Sequence, residues 1–500
     1  MKFLGIDVGT GGSRAVVIDE AGSVVASASA SHLDYSSPEI GWAEQDPNDW
    51  WHASKVVIRE ILQSISAEEI ASVSFSGQMH GSVFLDSSDL VIRPALLWCD
   101  QRTEKQCLEI TEALGKEGLI ELVCNPAITG FTLPKLLWLR ENESHNWARV
   151  ATVLLPKDFI RLRLCGDKAS DVADSSGTLM FDVQNRKWSS NVLSAFQIDE
   201  RILPKVYESI EVTGSVSVSG ASETGLKIGT PVVAGAGDSA AGAIGMGITR
   251  PGAVCVTIGT SGVVFAVTES PRIDLKGRIH TLCHAIPGRW HNTGVTQGAG
   301  LSLKWFRDNF ARGITYDELG SDAANVPSGS DGAIWLPYLM GERTPHMDAN
   351  ARAAFVGLSA SHTRGHLTRA VMEGVAFSLR DSIEIFRQLG TCLDNIRLGG
   401  GGARSAVWRQ IQADVYGQSV EILEADEGAA LGAAILAGVG VGAWSSVDEA
   451  CESAIRVAGT VAPNAASVET LDRNYEVYRT LYSALRGATD IFTSREIGET

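Results

Sequence analysis

Short apolar runs that end in glycine-rich turns recur along the chain and predict its strands. The run from Phe3 to Val8 leads into a turn over 9–13, and a second apolar run follows at 15–18. Because glycine tolerates positive φ, this pattern predicts two strands joined by a tight turn. Further strand-like runs with small or polar residues behind them occur at 70–75, 232–234, 254–258 and 396–398.

Apolar residues at helical spacing predict the helices between these strands. The pair Asp46-Pro47 is typical of a helix start, and apolar side chains recur every three or four positions after it up to Ile65. The same spacing predicts further helices over 366–386 and 406–416. The uncharged stretch 428–447 is long enough to cross a membrane, but it is rich in alanine and glycine. We therefore expect a closely packed buried helix there, followed by a turn.

The length and charge of the chain limit the classes of function. A chain of 500 residues is too long for one core, so two or more domains are expected. The formal net charge of −17 argues against non-specific binding to nucleic acid or to an anionic membrane, and favours a small-molecule ligand. Eight cysteines without a CxxC pair indicate free thiols. The N-terminus shows no secretory signal pattern, so a cytoplasmic protein is expected.

The first turn carries the residue types of a phosphate-binding hairpin. Its glycines bring backbone N–H groups close to a ligand, and Thr10 and Ser13 add hydroxyl groups that we expect to face the same concavity. Asp7 is an acid inside a buried strand, which is costly unless a cation meets it, and Mg²⁺ bound to the phosphate would be such a cation. An ordinary glycine hairpin with a strand-end aspartate is the alternative at this point.

A second hairpin repeats the first one in the other half of the chain. Residues 254–265 again read as strand, Gly-Thr-x-Gly turn and strand, with Gly259 and Thr260 in the turn. Upstream of it, Asp238 follows a buried strand and begins a helix of small residues, where it is either a reactive acid or a plain helix cap. A run of four glycines, 399–402, supplies a third glycine turn. The repeat indicates a duplicated domain that clamps one nucleotide.

Polar side chains also follow two other apolar runs. Met79 and His80 come after the strand at 70–75, and Asp100 follows Trp98. Ligands bind at strand ends in α/β domains, although a hydrogen-bonded structural role is the commoner one for a single His or Asp. The sequence assigns no role to the polar loops 156–178 and 337–346.

Together these motifs resemble the FGGY family of carbohydrate kinases. The resemblance rests, in the family's order, on residues 5–14, 77–81, 235–245, 257–262, 353–358, 366–373 and 399–405. It implies two actin-like ATPase (ribonuclease H-like) α/β domains around a central cleft. The implied boundaries are 1–246 for the sugar, phosphate and Mg²⁺ domain, 247–485 for the nucleotide domain, and 486–500 for a C-terminal tail.

The resemblance also implies roles for individual residues. The general base falls on Asp238 and the Mg²⁺-linked acids are Asp7 and Asp238. The β- and γ-phosphates of ATP would be held at Thr10, Gly11, Ser13, Gly259 and Thr260. Adenosine would be held at Gly400, Gly401 and Ser405. The sugar would be held by Met79, His80, Trp98, Asp238 and Ser239.

The expected reaction is ATP-dependent phosphorylation of D-xylulose, because residues 77–81 and 98–102 are most similar to the branch of the family that acts on this ketopentose. That branch usually has Asn after the base, where this chain has Ser239. Ribulose, L-fuculose and glycerol are therefore alternative substrates. An actin-like ATPase that regulates a protein partner is an alternative of another class, and a homodimer is a further expectation.

Overall fold

The computed structural model describes residues 1–425 and 427–494. The strands of the first half are β1 (Lys2–Val8), β2 (Gly12–Asp19), β3 (Val24–Ser31), β4 (Glu44–Gln45), β5 (Ile70–Gly77), β6 (Val83–Leu85), β7 (Ala95–Leu96), β8 (Thr152–Leu154), β9 (Ala169–Asp171), β10 (Phe181–Asp182), β11 (Lys187–Trp188), β12 (Lys205–Tyr207), β13 (Val212–Ser215), β14 (Pro231–Val233) and β15 (Ala236–Gly237). The helices of this half are α1 (Pro47–Ile61), α2 (Glu104–Leu114), α3 (Lys116–Val123), α4 (Thr132–Asn142), α5 (Ser144–Trp147), α6 (Pro156–Cys165), α7 (Val172–Ser175), α8 (Ser190–Ala195), α9 (Val218–Thr224) and α10 (Asp238–Gly245).

The second half continues the same alternation. Its strands are β16 (Ala253–Ile258), β17 (Gly262–Thr268), β18 (His280–Cys283), β19 (Trp290–Thr296), β20 (Ile334–Leu336), β21 (Ala354–Val356), β22 (Asn395–Gly400), β23 (Val420–Leu423) and β24 (Val457–Val461). Its helices are α11 (Ala299–Phe310), α12 (Tyr316–Ala324), α13 (Arg364–Gln388), α14 (Ala406–Tyr416), α15 (Gly428–Gly440), α16 (Val447–Ala454) and α17 (Ala465–Ser494).

Each half is built on a seven-stranded sheet, and the two sheets share one topology. In the first sheet the order is β13-β14-β5-β1-β2-β3, with β15 also paired to β5. In the second it is β18-β19-β17-β16-β22-β23-β24. Both contain an antiparallel meander of three strands, β1-β2-β3 or β16-β17-β19, whose first strand pairs in parallel with the next long strand, β5 or β22. The predicted pair of α/β domains is confirmed.

The two halves are interlocked by helices α10 and α15. Helix α15 is late in the chain but packs on β1 and β5 of the first sheet and crosses α10. The approach is close because both elements carry small residues: a Cβ on Gly432 would lie 1.8 Å from the Ala241 carbonyl oxygen, and one on Gly5 would lie 2.1 Å from that of Ala430. The boundary at 246/247 remains a prediction, since a helix from the second half completes the first domain's core.

The local predictions from hydrophobic spacing are confirmed at the elements that position the site. Helix α1 begins after Asp46, whose side chain accepts a hydrogen bond from the Asn48 N–H, and α14 ends at Gly417 in a left-handed conformation. Helix α15 is buried along most of its length, as expected from its composition. No helix in the described ranges has the length and apolarity needed to cross a membrane. Of the predicted tail, 486–494 continue helix α17, and 495–500 lie outside the described residues.

Candidate active site

Both predicted hairpins are present as tight turns at equivalent strand ends. The Gly9 N–H donates to the Gly12 carbonyl at 3.0 Å, and the Gly259 N–H donates to the Ser261 carbonyl at 2.9 Å. At the tip of the first turn, the Thr10 hydroxyl donates to Gln78 Oε1 at 3.1 Å and accepts from the indole of Trp98 at 3.0 Å. The first hairpin is thus tied to the ends of neighbouring strands rather than projecting freely.

The Ser13 hydroxyl does not share the concavity of the first turn, so that part of the prediction is wrong. Ser13 is buried, and its Oγ lies 2.9 Å from His32 Nε2 inside the domain. The reason is the alternation of side chains along a strand: residue 13 already belongs to β2, where its side chain faces the core. Only the backbone of Ser13 is left to contribute to the turn.

Asp7 and Asp238 reach the same edge of the first sheet, on either side of β5. Asp7 stands opposite Ser76 in the parallel register, and Ala236 stands opposite the same serine from β15. Burial raises the pKa of Asp7, and burial followed by the charge of Asp7 raises the pKa of Asp238 to about 7. Two carboxylates that repel each other at one strand edge indicate a site for a cation or for a reacting proton.

These two acids fit a magnesium ion that is shared with a phosphate ligand. Asp7 Oδ1 is buried and has no hydrogen-bond partner among the described residues. Residues 1–425 and 427–494 contain no group of three or more His, Cys, Asp or Glu side chains that could hold a metal. Mg²⁺ is commonly bound by one or two carboxylates with water and substrate phosphates, so a site with few protein ligands is what this ion needs.

Met79 and His80 form a wall beside Asp238. A Cβ on Gly237, the residue before Asp238, would lie 2.7 Å from Met79 Cγ, and one on Gly177 would lie 2.5 Å from the His80 ring. His80 has a left-handed backbone (φ 67°), which is uncommon outside glycine and directs its ring out of the strand axis. Ser239 is half-buried in the first turn of α10. The structure therefore brings the predicted sugar residues 79, 80, 238 and 239 to one place.

The tautomer of His80 follows from its hydrogen bond, and its charge follows from its burial. Its Nδ1 lies 2.7 Å from the Gly177 carbonyl oxygen, so Nδ1 carries the proton and Nε2 is left as an acceptor. Burial, with the nearby charge of Lys135 as the next cause, lowers the pKa of His80 to about 3. The imidazole is neutral at physiological pH and is suited to accept a hydroxyl proton in a hydrogen bond.

A cavity of about 640 Å³ lies beside the second hairpin, in the second domain. Gly259 and Thr260 line it, as do Gly401 and Ser405. Gly400 is not among the lining residues: it ends β22 with φ 69°, and a Cβ built on it would lie 2.7 Å from the Ile258 carbonyl oxygen. The cavity also contains residues that the sequence did not single out: Lys304, Tyr316, Asp317 and Arg404.

The segment 156–178, expected to be loop and given no role from the sequence, forms α6, β9 and α7 and supplies a charged cluster behind the site. The ammonium of Lys157 lies 2.6 Å from Asp158, 2.9 Å from Asp171 and 3.8 Å from Asp174, and all four side chains are fully buried. Burial and the neighbouring carboxylates, Asp238 included, raise the pKa of Asp174 well above its ordinary value, while Lys157 opposes this. The sequence assigned no role to this cluster, because the pair Lys157 and Asp158 and the pair Asp171 and Asp174 are brought together only by the fold.

Two further charged residues enter the cleft from distant parts of the chain. Arg14, opposite Asp7 in the first hairpin, forms an ion pair with Glu427 from the start of α15. Arg343, from the polar loop 337–346, lies near His80. Lys135, by contrast, is fully buried and its ammonium donates to the His80 and Gly130 carbonyls at 2.8 Å each. It supports the pocket wall from behind and faces neither solvent nor a ligand.

Activity should depend on the ionisation of Asp238. If this carboxylate accepts a proton from a substrate hydroxyl, it must be ionised first, and its pKa is about 7. We expect kcat/KM for the acceptor to fall about tenfold per pH unit below that value. Initial rates measured from pH 5.5 to 8.5, with coupling enzymes in excess, give this pH dependence of kcat/KM.

The control for this pH dependence is the Lys135→Gln variant. Burial lowers the pKa of Lys135 to about 7 as well, so it is another group near this pocket that titrates in the same range. In this variant, kcat/KM should still fall at low pH, and the fall should begin at the same pH as in the wild type. If kcat/KM of Lys135→Gln no longer fell at low pH, or if the wild-type value were constant from pH 5.5 to 7, the pH dependence could not be assigned to Asp238.

Comparison with protein families agrees with both halves of the structure. The N-terminal domain of the FGGY family of carbohydrate kinases matches residues 2–245, and its C-terminal domain matches residues 254–441. A curated xylulose kinase from Lactococcus lactis is 39% identical over 484 residues, which is 96% of each chain.

Solved structures show the same architecture. A crystal structure of a kinase titled "xyloylose kinase" from Brucella ovis matches with a TM-score of 0.92 and 36% identity over 98% of this chain and all of that one. A gluconate kinase from Lactobacillus acidophilus matches with a TM-score of 0.93 and 26% identity over 98% of this chain and 99% of that one. The arrangement of two such domains around a cleft, expected from sequence, is thereby confirmed.

Proposed function

This chain belongs to the FGGY family of carbohydrate kinases and is a sugar kinase, and we propose that it transfers the γ-phosphoryl group of ATP to the C5 hydroxyl of D-xylulose. The product would be D-xylulose 5-phosphate. The observation that carries the proposal is the placement of Asp238 next to Met79, with the His80 acceptor on the same wall and a phosphate hairpin on the same sheet edge. Several of the similar proteins are themselves xylulose kinases.

The proposed chemical step needs alignment and charge compensation more than covalent participation of the protein. Asp238 accepts the C5 hydroxyl proton as the new oxygen–phosphorus bond forms and the bond to the departing ADP oxygen breaks. Its raised pKa fits this task, because a base with a pKa near the working pH both ionises and holds the proton well. The helix dipole at the start of α10 favours the ionised form before transfer.

The remaining site residues hold and orient the two substrates. The Gly9 and Gly259 N–H groups donate within the two turns, so the backbone N–H groups of Thr10, Gly11 and Thr260 would meet the phosphates. The Thr10 hydroxyl would exchange its bond to Gln78 for one to a phosphate oxygen. The cavity lined by Gly401 and Ser405 would take adenosine. Asp7 and Asp238 would hold Mg²⁺, which neutralises charge on the phosphate oxygens when it is bound.

The pocket wall would orient the sugar and exclude water. His80 Nε2 accepts a hydrogen bond from a sugar hydroxyl, while Met79 and Trp98 line the pocket. Trp98 is held by its hydrogen bond to Thr10, so the sugar wall and the phosphate turn are connected. Water left in the cleft would compete for the phosphoryl group, and closure of the two domains would remove it.

A panel of acceptors in a coupled ADP-release assay tests the proposal. D-xylulose should give the highest kcat/KM, at least about tenfold above D-ribulose, L-fuculose, glycerol and D-gluconate, since one misplaced hydroxyl contact costs that much. Phosphorus NMR of the product should show a phosphate on C5. Preference for another acceptor would overturn the sugar assignment, and ATP turnover that no sugar stimulates would favour an ATPase that regulates a protein partner.

A further inference from the structure

Arg343 is held rigidly by the loop that carries it. The Arg343 N–H donates to Glu342 Oε1 at 2.8 Å, and the next residue, Thr344, donates its N–H to the Val295 carbonyl of β19 at 3.0 Å. The Glu342 carboxylate is directed inward, where it also accepts from Thr296 Oγ1 at 2.6 Å and from the Gln297 N–H at 2.9 Å. The backbone of Arg343 is therefore fixed, and the adjacent acid is already occupied.

The guanidinium of Arg343 has no hydrogen-bond acceptor or ion-pair partner within the part of the chain that the structure describes. The residue is half-buried, and burial lowers its pKa. A Cβ built on Gly130 of the first domain would lie 3.8 Å from Arg343 Nη2 and 2.8 Å from the Trp98 carbonyl oxygen. An arginine carries five donors and no acceptor, so a half-buried one without protein acceptors is suited to bind ligand oxygens.

Two neighbours of this guanidinium, His80 and His280, are acceptors without charge. Its charge helps to lower the pKa values of His80 and His280, both to about 3, with burial as the main cause. His280 Nδ1 lies 3.1 Å from Asn125 Oδ1, an oxygen that also accepts from the Thr281 N–H, so Nδ1 donates and Nε2 is an acceptor. Neutral imidazole acceptors beside arginine donors suit hydroxyl and carbonyl groups. A carboxylate would be repelled by the imidazole lone pairs.

Arg343 lies beside the residues that pack around His80. Gly130, whose built Cβ would lie 3.8 Å from Arg343 Nη2, precedes Phe131 in the chain. The Phe131 ring packs edge-on against His80 and His280, with ring centroids 4.7 and 5.5 Å apart. A sugar whose reacting hydroxyl lies at Asp238 and whose chain passes His80 would present its opposite end to Arg343.

We propose that Arg343 is a specificity-determining residue that the second domain contributes to the sugar pocket, where its guanidinium donates hydrogen bonds to the two oxygens of the C1–C2 hydroxyketone group. This inference rests on the proposed function and extends it to the end of the sugar that does not react. A ketose offers a carbonyl and a neighbouring hydroxyl that match the forked donors of an arginine. Because the loop belongs to the second domain, sugar binding at this residue would also favour the closed cleft.

The test compares two sugars in two proteins. D-xylulose and 1-deoxy-D-xylulose differ only in the C1 oxygen, and the Arg343→Gln variant removes the charge while keeping an amide. Wild-type kcat/KM should fall about 10- to 100-fold when the C1 oxygen is removed, the size expected for a hydrogen bond to a charged group. Arg343→Gln should lose at least about tenfold more kcat/KM with D-xylulose than with the deoxy sugar, because the deoxy sugar keeps only the C2 carbonyl contact.

Controls separate this role from a structural one. Arg352→Gln removes an exposed arginine downstream of the same loop and should behave as wild type. Among the residues that the structure describes, its side chain donates only to the Ala349 and Ala351 carbonyls. Arg343→Lys should lie between wild type and Arg343→Gln, since one charged donor remains. Calorimetric titration of each sugar without ATP should show the same pattern in Kd, and thermal unfolding checks that each variant is folded.

Three outcomes would overturn the inference. Equal losses with both sugars would show that Arg343 makes no contact with the C1 oxygen. A larger loss of D-gluconate binding than of D-xylulose binding in Arg343→Gln would identify an anion site. If Arg343→Gln behaved as wild type with both sugars, Arg343 would not contact the sugar. Failure of the wild type to phosphorylate D-xylulose would instead refute the proposed function, so the two failures are distinguishable.

Discussion

Asp238→Asn should lower kcat for sugar phosphorylation by roughly 10²- to 10⁴-fold. The amide has the shape of the carboxyl group and still fits at the start of α10, but it cannot take up the hydroxyl proton. Sugar binding should change little, because Met79 and His80 keep their positions. Sugar-dependent ADP release measures kcat, and calorimetric titration measures the retained affinity.

Asp34→Asn is the matched control, since Asp34 is an exposed aspartate of the same domain, and it should leave kcat unchanged. Thermal unfolding of both variants shows that they are folded. Activity of Asp238→Asn within tenfold of the parent would exclude Asp238 as the general base. A large rise in KM with unchanged kcat would instead make it a binding residue.

The second large effect concerns the crossing of α10 and α15. Gly432→Ala should destabilise the protein by about 3 kcal/mol or more, because overpacking a tight interior costs this much when the backbone cannot move aside. The added Cβ would lie 1.8 Å from the Ala241 carbonyl oxygen and 3.1 Å from its Cα. Both are backbone atoms of a helix, so the overlap can be relieved only if the two helices move apart. Urea unfolding, followed by tryptophan fluorescence, measures the loss.

Gly242→Ala is the control on the partner helix. A Cβ there has no heavy atom within 4 Å, and alanine favours a helix over glycine by about 0.5–1 kcal/mol. The variant should therefore be as stable as the parent or slightly more stable. Equal destabilisation by Gly432→Ala and Gly242→Ala would show that helix propensity, rather than the close crossing, determines the result.

The parts of the fold that could be predicted are those whose signals are local. The hairpin at Gly9, the strand ends before His80 and Asp238, and the glycine stop of α14 each follow from neighbouring residues. The predicted repeat is likewise present as two sheets of one topology. The packing of α15 on the first sheet could not be predicted, because a strand glycine such as Gly5 and a helix of small residues each have several explanations alone.

In the candidate site, too, the residues with a local signal could be predicted and those placed by the fold could not. Residue types at strand ends singled out Asp7, Asp238 and His80 as candidates, and the family resemblance supplied the roles expected of them. The Ser13 hydroxyl was assigned to the wrong side, because the position where the turn ends and β2 begins decides the direction of the side chain. Arg343 was not selected, since an arginine in a polar loop is ordinary until the fold shows that its acid neighbour, Glu342, has other partners.

The position of α15 also has a consequence for synthesis of the chain. All strands of the first sheet have been synthesised once β15 is complete, but α15, which covers one of its faces, follows only after every strand of the second sheet except β24. At about 5–20 residues per second, the intervening stretch takes roughly ten to forty seconds to translate. During that interval the face of β1 that carries Phe3 and Gly5 lacks its covering helix, so the nascent first domain would be a client for chaperones that bind exposed apolar strands.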